Sequence, residues 1–269
     1  PENVQEEEVV DRDYPIILSD WTDENPVDVY LNLKKMGGYY NYQQQTAVDF
    51  FDDIAKAGLG EAFKKRQPWN EARMSPTDFS DITASTYTYL MNGNSPANNW
   101  HGMVKKGEKV RLRFIGASTA TFFDIRIPGL KLKVTSTDGQ GVHPILVDEL
   151  RIGPGETYDV ILEIPDNQPY SVFAQSLDRS GYVSGTLSSS NKLRAKDPKM
   201  DKPVLLSMVD MMGDMGKRGG MDEMKSMSNM PSTHAMGGNS LLRATQKVNH
   251  ASTEYGAGVD MRVDMPRTN

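Results

Sequence analysis

No cysteine occurs anywhere in the 269 residues. Its absence excludes disulfides, thiolate metal sites, cysteine nucleophiles and the Cys-containing site of a blue-copper centre. Histidine is scarce: the four, His101, His143, His234 and His250, never come closer than sixteen residues in sequence. Long apolar runs are missing, since nothing approaches the roughly 18 residues a membrane span needs, so no membrane span is expected. A basic excess is missing as well. With a net charge of −6 and scattered lysines, the chain has no positive field for nucleic acid or anionic lipid, and no nucleic-acid partner is expected. There is no phosphate-binding glycine loop, no His-Glu-x-x-His helix and no Gly-x-Ser-x-Gly elbow. Residues 1–13 are acidic and are not expected to act as a signal peptide. The start at Pro1 without methionine and the stop at a polar Asn269 lead us to expect a piece of a longer protein.

Methionine is the abundant residue, 16 in all, and ten of these fall between Met200 and Met236. A thioether is soft, polarizable and uncharged, and it favours Cu(I) over zinc, calcium or magnesium. Met211, Met212 and Met215 form one cluster. Met221, Met224, Met227 and Met230 recur every third residue, with His234 and Met236 following. These nine residues are the candidate Cu(I) ligands. In the competing reading, Met221 to Met230 form one stripe of an amphipathic helix that packs on a groove or partner, with Asp222, Glu223, Lys225 and Ser226 outward. Glycines at 213, 216, 219 and 220, and the lack of Leu, Ile and Phe from Met211 to Ser240, weigh against it.

Patterning divides the rest of the chain. Residues 14–21 are a short apolar run and read as a strand without an evident local partner. Asn25 followed by Pro26 caps a helix of about three turns, with Val29, Leu33 and Met36 on one face and Gly37 and Gly38 as the stop. Thr46 with Asp49 three residues on predicts a second helix that buries Phe50, Phe51 and Ile54 and ends before Gly58. Further helical turns are expected over 61–66, and Ser75 before Pro76 predicts one more short helix. From Thr83 the period becomes two. Val110, Leu112 and Phe114 alternate with Lys109, Arg111 and Arg113, and Phe123, Ile125 and Ile127 alternate with Asp124 and Arg126, so each strand is expected to keep one wet face. About eight short strands between Gly, Pro and Asp turns predict a β-sandwich of roughly 110 residues. After Ser188 aromatic residues almost vanish. Such a segment buries too little apolar surface to offset its ordering entropy, so residues 210–250 are expected to be mobile when unliganded.

Several motifs together resemble the copper-resistance branch of the multicopper oxidases, the CopA- or PcoA-type proteins. The most specific are Leu18-Ser-Asp-Trp-Thr-Asp-Glu24, Tyr39-Tyr-Asn-Tyr-Gln-Gln44, Trp69-Asn-Glu-Ala-Arg-Met74 and Tyr87-Thr-Tyr-Leu-Met-Asn-Gly93. Asn99-Trp100, Val110-Arg-Leu-Arg-Phe-Ile115, Phe123-Asp-Ile-Arg-Ile-Pro-Gly-Leu-Lys131, Glu156-Thr-Tyr-Asp-Val160 and Phe173-Ala-Gln-Ser-Leu-Asp-Arg-Ser-Gly-Tyr182 are also similar. Members of that family look like three cupredoxin-type sandwiches in series. Their copper is held by His-x-His pairs in the first and third domains and a His-Cys-His stretch near the C-terminus, and none of these motifs occurs here.

The resemblance therefore implies a mainly β fold, a cupredoxin-like Greek-key β-sandwich with a helical insertion and a flexible methionine-rich segment. Residues 1–24 would be the last strand of the first domain, 25–82 a helical insert and 83–197 the second sandwich. Residues 198–240 would be the copper-binding segment and 241–269 a linker toward the third domain. It implies a periplasmic oxidoreductase that passes electrons from Cu(I) to oxygen, with copper ions and the first and third domains of the same protein as partners. The catalytic copper sites would lie outside this chain, and the span alone would be inactive. A non-catalytic periplasmic copper-sequestering protein remains the alternative, and a purely structural role for the methionines is a third reading.

Other candidates read as structural. His101, in Trp100-His-Gly102, is expected to be a hydrogen-bonded loop residue, and His143 a strand-start residue. Met91, Met103 and Met208 read as strand residues. Tyr39, Tyr40 and Tyr42 suggest a packing cluster in preference to a stacking platform. Glu6, Glu7, Glu8, Asp52 and Asp53 read as solvated faces.

Overall fold

The structure, a computed structural model, describes residues 8–72, 75–77, 80–203, 205–206 and 262–263. In chain order its elements are β1 (Arg12–Trp21), α1 (Pro26–Lys35), α2 (Ala47–Ala57), α3 (Leu59–Ala72), β2 (Thr88–Met91), β3 (Trp100–Met103), β4 (Lys109–Gly116) and β5 (Phe123–Arg126). There follow β6 (Leu132–Thr137), β7 (Gln140–Val147), β8 (Glu149–Ile152), β9 (Thr157–Glu163), β10 (Tyr170–Ser176), β11 (Tyr182–Ser188) and β12 (Arg262–Val263). The chain divides into two units: Pro1–Gln44 with Thr77–Val204 and Ser252–Asn269, and Gln45–Pro76 with Leu205–Ala251.

The first unit is a sandwich of two six-stranded sheets, ordered β2-β1-β4-β9-β6-β7 and β12-β8-β5-β10-β11-β3. Alternation decides what lies between them. Ile16 and Leu18 of β1, Val110, Leu112 and Phe114 of β4, Phe123 and Ile125 of β5, and Leu150 and Ile152 of β8 are all fully buried in one core. Burying each such side chain contributes about 1.5–3 kcal/mol. The chain passes repeatedly between the sheets, with β4 in one, β5 in the other, β6 and β7 back in the first and β8 across again. The fold is mainly β, as expected.

Where β1 sits differs from expectation. The resemblance implies that it ends a preceding domain, yet it pairs antiparallel with β2 and in parallel with β4, Arg12 opposite Val110 through Leu18 opposite Gly116. Its partners are distant in sequence, and sequence periodicity does not report such pairings. Arg12 bonds Glu108 at 3.0 Å, and Asp13 accepts from Arg113 at 2.9 Å, which pins the register. Asn92, in the left-handed region at φ 49°, accepts from the Ile17 N–H at 2.7 Å and donates to the Pro15 carbonyl at 2.9 Å, so its side-chain amide acts as a further backbone rung.

Ten strands, β2 to β11, stand where about eight were expected. The apolar run over 145–152 is not one strand but breaks at Asp148, with β7 in one sheet and β8 in the other. Trp100–Met103, too short to show alternation, forms the edge strand β3.

The helices begin as their caps dictate. Asn25 Oδ1 accepts from the Val27 N–H at 2.9 Å, and Thr46 and Asp49 form a reciprocal capping box. α3 runs on to Ala72, well beyond the expected 61–66, and contains Pro68. In place of a helix opened by Ser75, Pro76 and Thr77 form a turn. Met36 is 53% exposed, so the α1 face closes on Val29 alone among its fully buried residues. The expected insert over 25–82 is itself divided, with α1 in the first unit and the α2–α3 hairpin in the second.

Candidate metal-handling site and its anchorage

All nine candidate copper ligands, Met211, Met212, Met215, Met221, Met224, Met227, Met230, His234 and Met236, lie outside the described residues, as does Met208. Most of the expected segment 198–240 and linker 241–269 lies outside them too. Among the described residues no group of three or more His, Cys, Asp or Glu side chains converges on a point that could hold a metal. The described part therefore does not supply the ligand set of a catalytic copper.

Several of the remaining candidates have structural partners. His101 on β3 shares a hydrogen bond of 2.7 Å between Nε2 and Ser188 Oγ on the neighbouring β11. His143 is exposed on the edge strand β7. Met91 is fully buried in the core, and Met103 lies on β3. Tyr40 is 2% exposed, donates to Glu24 at 2.9 Å and meets Tyr39 edge-on, while Tyr42 is 78% exposed; only part of that trio packs. Glu8 is not a free solvated charge, because Lys109 and Lys133 donate to its two oxygens at 2.8 and 2.7 Å and hold its carboxyl below the usual range.

What sequence patterning missed is a buried layer of charge on the outer face of the second sheet. Asp124 and Glu149 are fully buried and Arg126 is 6% exposed, although alternation put this face in water. The cause is local symmetry. Asp124-Ile-Arg126 on β5 runs antiparallel to Glu149-Leu-Arg151 on β8, so Asp124 faces Arg151 and Arg126 faces Glu149. Arg151 Nε donates to Asp124 at 2.8 Å, Arg179 pairs with the other Asp124 oxygen at 2.6 Å, and Arg126 reaches Glu149 at 3.1 Å. The guanidinium of Arg126 also lies 5.4 Å from the Phe173 ring centroid. Two mirrored acid-x-base triplets on candidate neighbouring strands were the available signal.

The cover over this face comes from residues 189–203. Asp197 accepts from Ser171 at 2.8 Å and Ser184 at 3.0 Å, and the Ala195 N–H donates to Thr186 at 3.1 Å. Asp201 closes the strap: Arg126 Nη1 and Gln175 Nε2 each donate to its Oδ2 at 2.6 Å, Arg126 Nη2 donates to Oδ1 at 3.1 Å, and the Asp201 N–H donates back to Gln175 at 3.0 Å. Charge-assisted bonds of this length are the strong class. Burial pushes the Asp201 carboxyl up, but the bonds from Arg126 and Gln175 outweigh it and hold it below the usual carboxylate range. Burial likewise pushes Arg126 down, and its bond to Asp201 with the charge of Glu149 outweighs that and raises it.

Met208 is the seventh residue after Asp201, and Met211, the first of the cluster, is the tenth. The chain then rejoins the same sheet, where β12 pairs in parallel with β8, Arg262 opposite Glu149 and Val263 opposite Leu150. Both stems of the methionine-rich stretch thus stand on one sheet of the sandwich.

Residues 12–192 match the family model described as multicopper oxidase. Copper resistance protein A of Escherichia coli is 49% identical over 230 residues, 82% of this chain and 38% of that protein. Its namesake in Pseudomonas syringae pv. tomato is 49% identical over 213 residues, 79% of this chain and 35% of that protein. The multicopper oxidase MmcO of Mycobacterium tuberculosis is 32% identical over 155 residues, 56% of this chain and 27% of that protein. The chain spans well under half the length of these relatives.

Proposed function

This chain belongs to the multicopper oxidase family, and from that premise we propose that it is the central section of a periplasmic copper-resistance oxidase, supplying scaffold and a Cu(I)-binding methionine segment. The sandwich is the scaffold. Met211, Met212, Met215, Met221, Met224, Met227 and Met230, with His234 and Met236, capture Cu(I) as a soft cargo. Thioethers suit an oxidising compartment because they are not consumed by disulfide formation. In the intact protein the electrons of Cu(I) pass to oxygen, which becomes water. The imidazole and thiolate ligands for that chemistry belong to the first and third domains, so this span alone is inactive.

One coincidence carries the reading. The same chain that is 49% identical to two proteins named copper resistance protein A concentrates ten methionines between Met200 and Met236. The sandwich adds support, since Arg126 and Asp201 fix the point from which the methionine segment departs.

A Cu(I) competition titration against a chromogenic chelator tests the copper part, run on the wild type and on a set with leucine in place of the seven methionines from 211 to 230. Loss of binding is expected, and equal affinity overturns it. Oxygen turnover and the blue absorption band after copper loading test the division of labour. Neither is expected from the isolated chain, and either one refutes it.

A further inference from the structure

The helical hairpin of the second unit turns aromatic side chains outward. Phe50 of α2 meets Phe63 of α3 edge-on with centroids 5.3 Å apart, and the Phe50 and Phe51 rings lie 6.3 Å apart. Arg66 lies 4.9 Å from the centroid of Phe50. The sequence expects Phe51 to be buried, but it is 67% exposed and Phe63 57%, with Val48 and Leu59 also open on the same two helices. The apolar side that amphipathic patterning gives α2 is therefore largely unused by the described residues. An exposed apolar cluster of this kind marks a binding surface.

The path of the chain selects the occupant. The Leu206 N–H donates to the Pro76 carbonyl at 2.8 Å, so the polypeptide enters the methionine-rich stretch from beside the end of the hairpin sequence. Length is no obstacle. α3 has 14 residues and is about 21 Å long, whereas the stretch from Met211 to Met230, fully extended, reaches on the order of 65 Å. Chemistry agrees with position. Between Met211 and Ser240 methionine is the only large apolar residue. Its unbranched thioether adapts to irregular apolar surfaces and favours phenyl rings, with sulfur about 5 Å from the ring.

We propose that the Phe50, Phe51 and Phe63 face of the α2–α3 hairpin is the docking surface of the chain's own methionine-rich segment, covered by Met221, Met224, Met227 and Met230. This goes beyond the copper reading and does not need it, because docking is apolar packing whereas ligation uses sulfur lone pairs.

The test uses the full chain, copper-free, labelled with carbon-13 at the methionine methyls. Ring currents of the phenyl groups are expected to place methyl resonances from 221 to 230 upfield of free methionine. In a Phe51→Asp/Phe63→Asp double variant they return to the free position. Met91, fully buried in the sandwich, must keep its resonance, which reports an intact fold. Phe51→Ala/Phe63→Ala serves if the charged pair perturbs it. Unchanged methionine resonances in both double variants overturn the proposal. So does a dimer that dissociates in sedimentation, or vesicle binding that is lost, without any methionine shift, since the face then belongs to a second copy or a lipid surface. A Cu(I) titration of the Met→Leu set judges the copper reading separately.

Discussion

Arg126 and Asp201, 75 residues apart in sequence, meet at 2.6 Å on the outer face of the second sheet, and this contact holds the last turn of chain before the methionine-rich segment against the sandwich. Replacing Arg126 with methionine removes the cation that bonds both the fully buried Glu149 and the partly buried Asp201. A loss of about 3–5 kcal/mol is expected, the usual cost of breaking a buried pair from one side. Urea unfolding measures it. Asp201→Asn keeps a polar partner for Arg126 and is expected to cost less while speeding trypsin cleavage after Lys199; an unchanged cleavage rate would show that the strap is held by other contacts.

The same carboxylate sets an acid dependence. Its folded pKa lies below the ordinary value of about 3.9. The stability it contributes is therefore complete above that ordinary value and is lost as pH falls through the lower folded value. The urea midpoints of wild type and Asp201→Asn should differ at neutral pH and converge in acid. A gap that stays constant to pH ~3 would contradict the assignment.

β1 is expected to be indispensable to the sandwich. Leu18→Ala removes a fully buried side chain and should cost about 2–5 kcal/mol. Deleting residues 1–21 should abolish cooperative unfolding, read by circular dichroism against urea. A truncated chain with the wild-type midpoint would return β1 to the preceding domain.

A steric prediction concerns the close approach of two backbones. A Cβ at Gly116 would stand 2.1 Å from the Gly153 carbonyl oxygen, so the backbone itself must move. Gly116→Ala is expected to lower stability by roughly 1–3 kcal/mol as an overpacked site. Gly141→Ala is the control, because a Cβ there meets nothing within 4 Å. Thermal midpoints of the two variants should separate clearly.

Local chemistry was the readable part. The caps at Asn25 and Thr46 act over three residues, and the helices start where those residues put them. The alternation in β4 and β5 placed Val110, Leu112, Phe114, Phe123 and Ile125 inward, and all five are buried. What failed was non-local. Alternation states that Asp124 and Arg126 share a face but not that residues 189–203 return to cover it, and it gives no hint that residues 12–18 pair with residues 110–116. Phe51 misled for the related reason that a helix stripe shows which side is apolar, not whether anything packs there. The candidate copper ligands were named from composition and spacing alone, and they lie outside the described residues.

Because the chain departs at Asp201 and is back beside β8 at Arg262, the methionine-rich stretch is tethered at both ends. Closing a chain between two fixed points is tolerant of length: each doubling of the connection costs only about 0.6 kcal/mol in closure entropy. Insertions and deletions can therefore add or remove thioethers with little penalty to the sandwich. The number of methionines becomes a quantity that selection can tune almost independently of the scaffold, while double attachment keeps their local concentration high at one place on the protein.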